Sequence, residues 1–243
     1  MSTNRLVSGL EFLAATPLLW LSATLGAYLA AVAINERCKR MPLLNPTLLA
    51  IAFVVAILTL TGTSYKRYFD GAQFVHFLLG PAIVAMAVPL YRHTELIRKS
   101  AGALFSGLAI GSVTAILSSV LLTRGLAGSR ELWLSMAPKS ATAAISMAIS
   151  GKIGGLPALT AVLTIFTGIT GACLAGYVLR VAGVKEWHAR GFAMGLSSHG
   201  IATARAFQEN EIAGTFAGLA MALNGIATAA LVPLLIKLID GLG

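Results

Sequence analysis

Acidic residues are scarce in this chain, and so is charge of any kind. Only 9 of 243 residues are Asp or Glu, and charged residues make up 11%. Soluble domains carry about a quarter. The two cysteines, Cys38 and Cys173, lie too far apart in sequence for a metal-knuckle spacing. The chain has no phosphate-binding glycine loop of the Walker type, no CxxC, no HExxH and no GxSxG. With these goes any motif-based argument for an enzyme or for a bound cofactor or metal. What the chain has instead is apolar length: 57% hydrophobic residues and a mean hydropathy of +0.83. Apolar segments of about 20 residues cross a hydrocarbon core of about 30 Å as helices. The fold expected is therefore an all-α polytopic bundle in a lipid bilayer, a single transmembrane domain over 1–243. The isoelectric point near 10 does not signal nucleic acid. The basic residues sit in short loops, where they orient helices.

Apolar segments fall at 13–34, 43–62, 72–91, 101–122, 132–150, 156–180, 190–207 and 212–236. No Asp or Glu lies within any of them, which argues against a carboxylate-based proton pump or cation site. The first segment, with Arg5 and Glu11 before it, suits a transmembrane helix better than a cleaved signal peptide. The basic loops at 36–40 and 92–99 are cytoplasmic by the positive-inside rule, two spans apart. Segment five is the least lipid-like, with Pro138, Lys139 and several hydroxyls. If it is broken or re-entrant, the basic loop 180–190 is also cytoplasmic and the acidic loop 209–211 external. A gapless shift of 111 residues pairs Pro46 with Pro157, Gly80 with Gly191, and 105–109 with 216–220. Segments two to four then match six to eight in opposite orientation, as in inverted-repeat carriers. His199 to Ala204 is also echoed by Asn224 to Ala229; close helix packing is the plainer reading of that echo.

Ionisable groups persist in a bilayer mainly where they face protein or water. Two stretches hold them. A helix starting near Pro138 would offer free N–H groups, the Lys139 charge and the Ser140 and Thr142 hydroxyls to an anion. The bland alternative is that Lys139 snorkels to the surface. In the second stretch, Ser197, Ser198, His199, Thr203 and Arg205 surround Gly200. On one helix, His199 and Thr203 share a face, as do Ser198 and Arg205. Arg205 could grip a carboxylate and His199 could couple a proton. Alternatively, Arg205 snorkels and His199 bonds a backbone carbonyl. Asn224 joins these as a candidate for reading a substrate hydroxyl. Helix starts or breaks are expected at Asn45-Pro46, Pro81, Pro89, Pro138, Gly155, Pro157, Gly200 and Gly225. With Lys and Arg as the buried charges, a small anionic substrate is the better match.

The stretches 78–91, Pro138-Lys139-Ser140, 154–160, 198–205 and 221–225, taken together and in order, resemble the LrgB/CidB family over about 43–235. The resemblance implies a bacterial inner-membrane protein, often paired with a small LrgA/CidA-like membrane protein. Its members were described as holin/antiholin-like regulators of murein hydrolase activity and autolysis. Related plastid proteins move glycolate and glycerate, and bacterial members are linked to pyruvate uptake. The expected function is a secondary transporter of small monocarboxylates, possible proton coupling included. The alternative is a holin-like regulator that forms homo-oligomers.

Overall fold

The computed structural model describes residues 17–38, 41 and 44–241. Arg5, Glu11, the start of the first apolar segment, and Lys39 and Arg40 of the first basic loop lie outside them. Among the described residues the elements are all helices. Five stretches are long and apolar enough to span a bilayer: Leu18–Arg37, Tyr65–Arg92, Ala101–Gly125, Pro157–Val181 and Glu211–Gly241. The chain is a multi-pass membrane protein. It divides into two units, one ending at Ala85 and one starting at Met86.

The first unit holds α1 (Pro17–Arg37), α2 (Pro46–Thr61) and α3 (Tyr65–Ala85). Helix α2 starts as expected. Asn45 Oδ1 accepts from the backbone N–H of Thr47 (2.9 Å) and Leu48 (3.3 Å), and Pro46 fills the first turn. Gly62 ends the helix in the left-handed region at φ +62°. The buried Asn35 ties the α1–α2 loop, donating to the carbonyls of Met41 and Leu44. Pro81 lies inside α3 without ending it. The interruption comes at Met86, ahead of Pro89, which has no N–H to offer the Ala85 carbonyl.

The second unit carries α4 (Ala87–Arg92), α5 (Thr94–Lys99), α6 (Ala101–Gly125), α7 (Arg130–Met136), α8 (Ala143–Ile153), α9 (Pro157–Val181), α10 (Trp187–Glu209) and α11 (Glu211–Gly241). Helices α6 and α11 run parallel. Leu104 clusters with Phe216 and Ala220, Ser112 bonds Asn224, and Ile116 and Val120 cluster with Val232 and Ile236. Segment five turns back, as a re-entrant element should. Ser146 Oγ donates to the Pro138 carbonyl (2.6 Å), and Thr160 Oγ1 lies 2.7 Å from Ser150 Oγ and 3.1 Å from the Ser135 carbonyl. Residues 138 and 135 therefore face 146 and 150, the antiparallel register of a hairpin. Its arms are α7 and α8, and its tip is 137–142. Its open end lies beside the end of α11, where Trp133 and Leu134 pack on Val232 and Ile236. Gly154, at φ +89°, and Gly155 close α8, and Pro157 opens α9.

Helix α10 departs from expectation. The sequence reads segment seven as a crossing. A straight helix would hold Arg190 and Glu209, nineteen positions apart, about 28 Å from each other. Yet Arg190 Nη2 is 3.9 Å from Glu209 Oε2. The backbone leaves helical geometry at Ser198 (φ −141°, ψ 20°) and His199 (φ 43°, ψ −138°), and there the chain reverses. The first arm, 187–197, runs parallel to α11: a methyl on Gly191 would overlap the Ala213 carbonyl, and one on Gly195 that of Ala217. The second arm runs parallel to α9, with His199 at Thr164 and Glu209 near Gly176. This second hairpin enters from the end where α11 starts, opposite the first.

Two expectations are corrected. The loops 182–186 and 209–211 lie at the same end, joined through Arg190 and Glu209, not at opposite ends. The 111-residue pairing matched segment seven as a full crossing, and the hairpin in that segment does not fit such a match. Helix α6 with hairpin 1, and α9 with hairpin 2, run in opposite directions. Both helices have 25 residues and an arginine in the last turn, Arg124 and Arg180. Arg92, Arg98, Lys99, Arg180 and Lys185 lie at the end where α6 begins and α9 finishes.

Candidate functional site

The two tips meet at mid-depth on Asn224, near the middle of α11. Its Nδ2 donates to the Ser140 carbonyl of tip 1 (3.0 Å) and to the Leu196 carbonyl of hairpin 2 (3.0 Å). Its Oδ1 accepts from Ser112 Oγ on α6 (2.8 Å) and from Thr228 Oγ1 (3.4 Å). Both amide hydrogens and two acceptor sites are used, so the full capacity of the side chain goes to the protein. The sequence had Asn224 as a substrate reader; here it bolts two hairpins and two crossing helices together. Gly225 makes no break, since α11 is helical from Glu211 to Gly241 with Pro233 inside it. The echo between 199–204 and 224–229 therefore joins a chain reversal to an intact helix.

Tip 2 is seated on α9. His199 Nε2 is 2.9 Å from the Thr164 carbonyl. A carbonyl only accepts, so Nε2 carries the proton and Nδ1 is the nitrogen free to exchange one. Gly168 lies under the imidazole and Gly171 under Ser198; a methyl at either would overlap them. The positive φ falls on His199, not on Gly200 beside it. A non-glycine residue there carries strain of about 1–3 kcal/mol, and such strain clusters at functional sites. Thr203 Oγ1 donates to the His199 carbonyl (2.8 Å), a back-bond within the first turn of the second arm.

A cleft of about 520 Å³ opens beside the tips. Lys139, Ser197 and Ser198 line it on the polar side, and Phe166, Leu174 and Val178 of α9 on the apolar side. Lys139 has no carboxylate within ion-pair distance among the described residues. Ser197 Oγ donates back to the Ala193 carbonyl (2.8 Å), so toward the cleft it offers only lone pairs; Ser198 Oγ lies 3.2 Å from it. Thr142, which precedes α8 in an extended conformation, and the buried Ser140 are not among the residues lining the cleft.

Arg205 is not brought to this cleft. It sits on the returning arm, its Nε donating to Glu209 Oε1 at 3.1 Å, in a nearly buried group with Arg190. Because the chain reverses at Ser198–His199, Ser198 and Arg205 never share a helix face. The sequence reading missed Ser112, Thr164, Arg190 and Glu209. The four-residue spacing of Thr160, Thr164, Gly168 and Ala172, all buried on α9, was the available signal for a face that receives other backbone.

The LrgB-like family model matches residues 24–238. The protein YwbG of Bacillus subtilis, itself uncharacterized, is 34% identical over 214 residues, 88% of this chain and 95% of its own. The holin-like protein CidB of Staphylococcus epidermidis is 30% identical over 228 residues, 94% of this chain and 98% of its own. An uncharacterized protein of Haemophilus influenzae is 34% identical, with 89% and 93% covered. No solved structure matches. Matched along nearly its whole length by the family model and by these relatives, the chain belongs to the LrgB-like family.

Proposed function

We propose that this protein is a secondary carrier for small monocarboxylates, with the anion held between the two hairpin tips. One observation carries the reading: Lys139, without an acidic partner among the described residues, lines a cleft where two oppositely entering hairpins meet. A re-entrant hairpin closes one side of a mid-depth site, and a pair of them supplies a gate to each side. Broken helices near the midplane are a recurring substrate site in carriers. The carboxylate sits against Lys139 and accepts from the Ser198 hydroxyl, whose proton is not committed to a backbone carbonyl. His199, which is buried and follows Ser198 of the cleft lining in the chain, takes the coupled proton on Nδ1 while Nε2 stays on Thr164.

The holin-like name of the Staphylococcus relative, and the regulation of murein hydrolases that the resemblance implies, suggest an oligomeric pore instead. A pore needs a polar stripe on an outer helix face. Here Ser112, Thr164, Ser198, His199, Thr203 and Asn224 are all buried inside the unit, which favours a carrier. A small LrgA/CidA-like partner and homo-oligomer formation belong to the proposal as accessory features.

The test is uptake of labelled pyruvate and glycolate into proteoliposomes. Wild type should accumulate one of them, Lys139→Gln should lose uptake, and Arg205→Gln should keep it at lower thermal stability. Wild type without uptake of either acid, or Lys139→Gln with full uptake, overturns the reading.

A further inference from the structure

A second polar cavity lies at the opposite end from the basic loops, where α6 and α11 finish and α7 begins. It measures about 510 Å³ and is lined by Arg124, Arg130, Trp133, Ile239 and Asp240. Both guanidinium groups lie over the Trp133 ring, Arg130 at 5.2 Å and Arg124 at 5.6 Å from its centroid. Arg130 grips Asp240 with two hydrogen bonds, Nη1 to Oδ1 at 2.9 Å and Nη2 to Oδ2 at 2.7 Å. Each carboxylate oxygen thus has its arginine partner. Arg124 is held in place by the indole yet has no hydrogen-bonded carboxylate among the described residues, and the cavity keeps one positive charge in excess.

We infer that this cavity binds the headgroup of an anionic phospholipid. Its place is the boundary between hydrocarbon and water, since two spanning helices end there and an indole, the side chain favoured at that depth, forms its wall. Basic pockets between helices at this level take phosphate headgroups. The acyl chains have somewhere to go. Leu121 and Leu238, the surface leucines just below the cavity on α6 and α11, are 55% and 60% exposed. An apolar cleft of about 290 Å³, lined by Leu126, Leu132, Met136 and Leu163, flanks the other side of α7. A phosphodiester would bridge Arg124 and the free Nε edge of Arg130 while Asp240 keeps its bonds. A bound lipid would then brace the open end of hairpin 1, whose first residue is Arg130.

Native mass spectrometry of the full chain, released from micelles containing equal phosphatidylglycerol and phosphatidylcholine, tests this directly. Wild type should retain phosphatidylglycerol preferentially. Arg124→Gln, which breaks no ion pair among the described residues, should reduce that preference about fivefold; Arg124→Lys should keep part of it. An unchanged thermal melting temperature for Arg124→Gln in lipid-free detergent confirms that the fold is intact. Equal retention of the two lipids, or Arg124→Gln indistinguishable from wild type, overturns the inference. Displacement of phosphatidylglycerol by millimolar inorganic phosphate also overturns it, as that makes the cavity a site for free anions.

Discussion

Hairpin 1 reverses over residues 137–142, through a proline and a non-helical stretch that leaves two separate short helices. Hairpin 2 reverses at Ser198 and His199 alone, with helix on both sides and no proline or positive-φ glycine at the turn. In hairpin 1 the local sequence dictates the turn. Pro138 has no N–H to offer the Leu134 carbonyl, and its own carbonyl accepts from the Ala141 N–H and from Ser146 Oγ across the hairpin. In hairpin 2 the turn is locally unfavourable and is held by its surroundings. Gly191 and Gly195 fit the first arm to α11, Gly168 and Gly171 make room on α9, and the Arg190–Glu209 pair closes the open end. A reversal imposed by packing is invisible to any rule that looks for turn residues.

The largest expected effect is geometric. Spin labels on Ala189→Cys and Gln208→Cys should report a separation well under the ~28 Å of a straight helix. Cysteines replacing Lys185 and Glu211 should react from the same side of the membrane. A rod-like distance, or labelling from opposite sides, would return segment seven to a crossing and remove the comparison altogether.

The joint between the hairpins comes next. Asn224→Leu keeps the volume but leaves the Ser140 and Leu196 carbonyls buried without a donor. An unsatisfied buried group costs about 1–3 kcal/mol, so the loss should reach about 3 kcal/mol in denaturant unfolding in detergent. Asn224→Gln retains the amide and should recover part of it. If Asn224→Leu is neutral, the tips are not coupled through this residue.

The seam of hairpin 2 separates two glycines that look alike in sequence. Gly195→Ala forces a methyl into the Ala217 carbonyl and should destabilise by about 1–3 kcal/mol. At Gly200 a methyl meets only Met221 Sδ, at 3.7 Å. Gly200→Ala should therefore be neutral or stabilising by up to about 1 kcal/mol, the ordinary helix preference. Equal melting temperatures for the two variants would mean that the first arm does not lie on α11.

These particulars show what the sequence made legible. The all-helical membrane fold followed from hydropathy, and the turning-back of segment five from Pro138 and Lys139. The starts of α2 and α9 followed from Asn45-Pro46 and Gly155-Pro157, because capping is a local interaction. The polar stretch at 197–205 was recognised as unusual, but its geometry was read on one straight helix. On one straight helix Arg205 falls beside Ser198; in the hairpin it pairs with Glu209, the last residue of α10. Asn224 was noticed, yet its role depends on partners at Ser112, Ser140 and Leu196, from three other elements. No spacing rule assembles contacts so distant in sequence.

The smallest effect expected in stability is at the turn itself, and it separates strain from function. His199→Gly relieves the cost of the positive φ but loses the bond from Nε2 to the Thr164 carbonyl. The gain is about 1–3 kcal/mol and the loss about 0.5–1.5 kcal/mol for one added hydrogen bond to a carbonyl already paired within α9, so the terms largely offset. The melting temperature should move by only a few degrees. His199→Ala suffers the loss without the relief and should melt well below His199→Gly. That ordering tests whether the turn is strained: His199→Ala as stable as His199→Gly would mean that the backbone at 199 pays no penalty for a β-carbon. Substrate uptake supplies the other half of the comparison. If His199 Nδ1 carries the coupled proton, His199→Gly should fold well yet fail to accumulate substrate against a gradient. A variant that keeps wild-type accumulation would leave the histidine as a purely structural seat for tip 2.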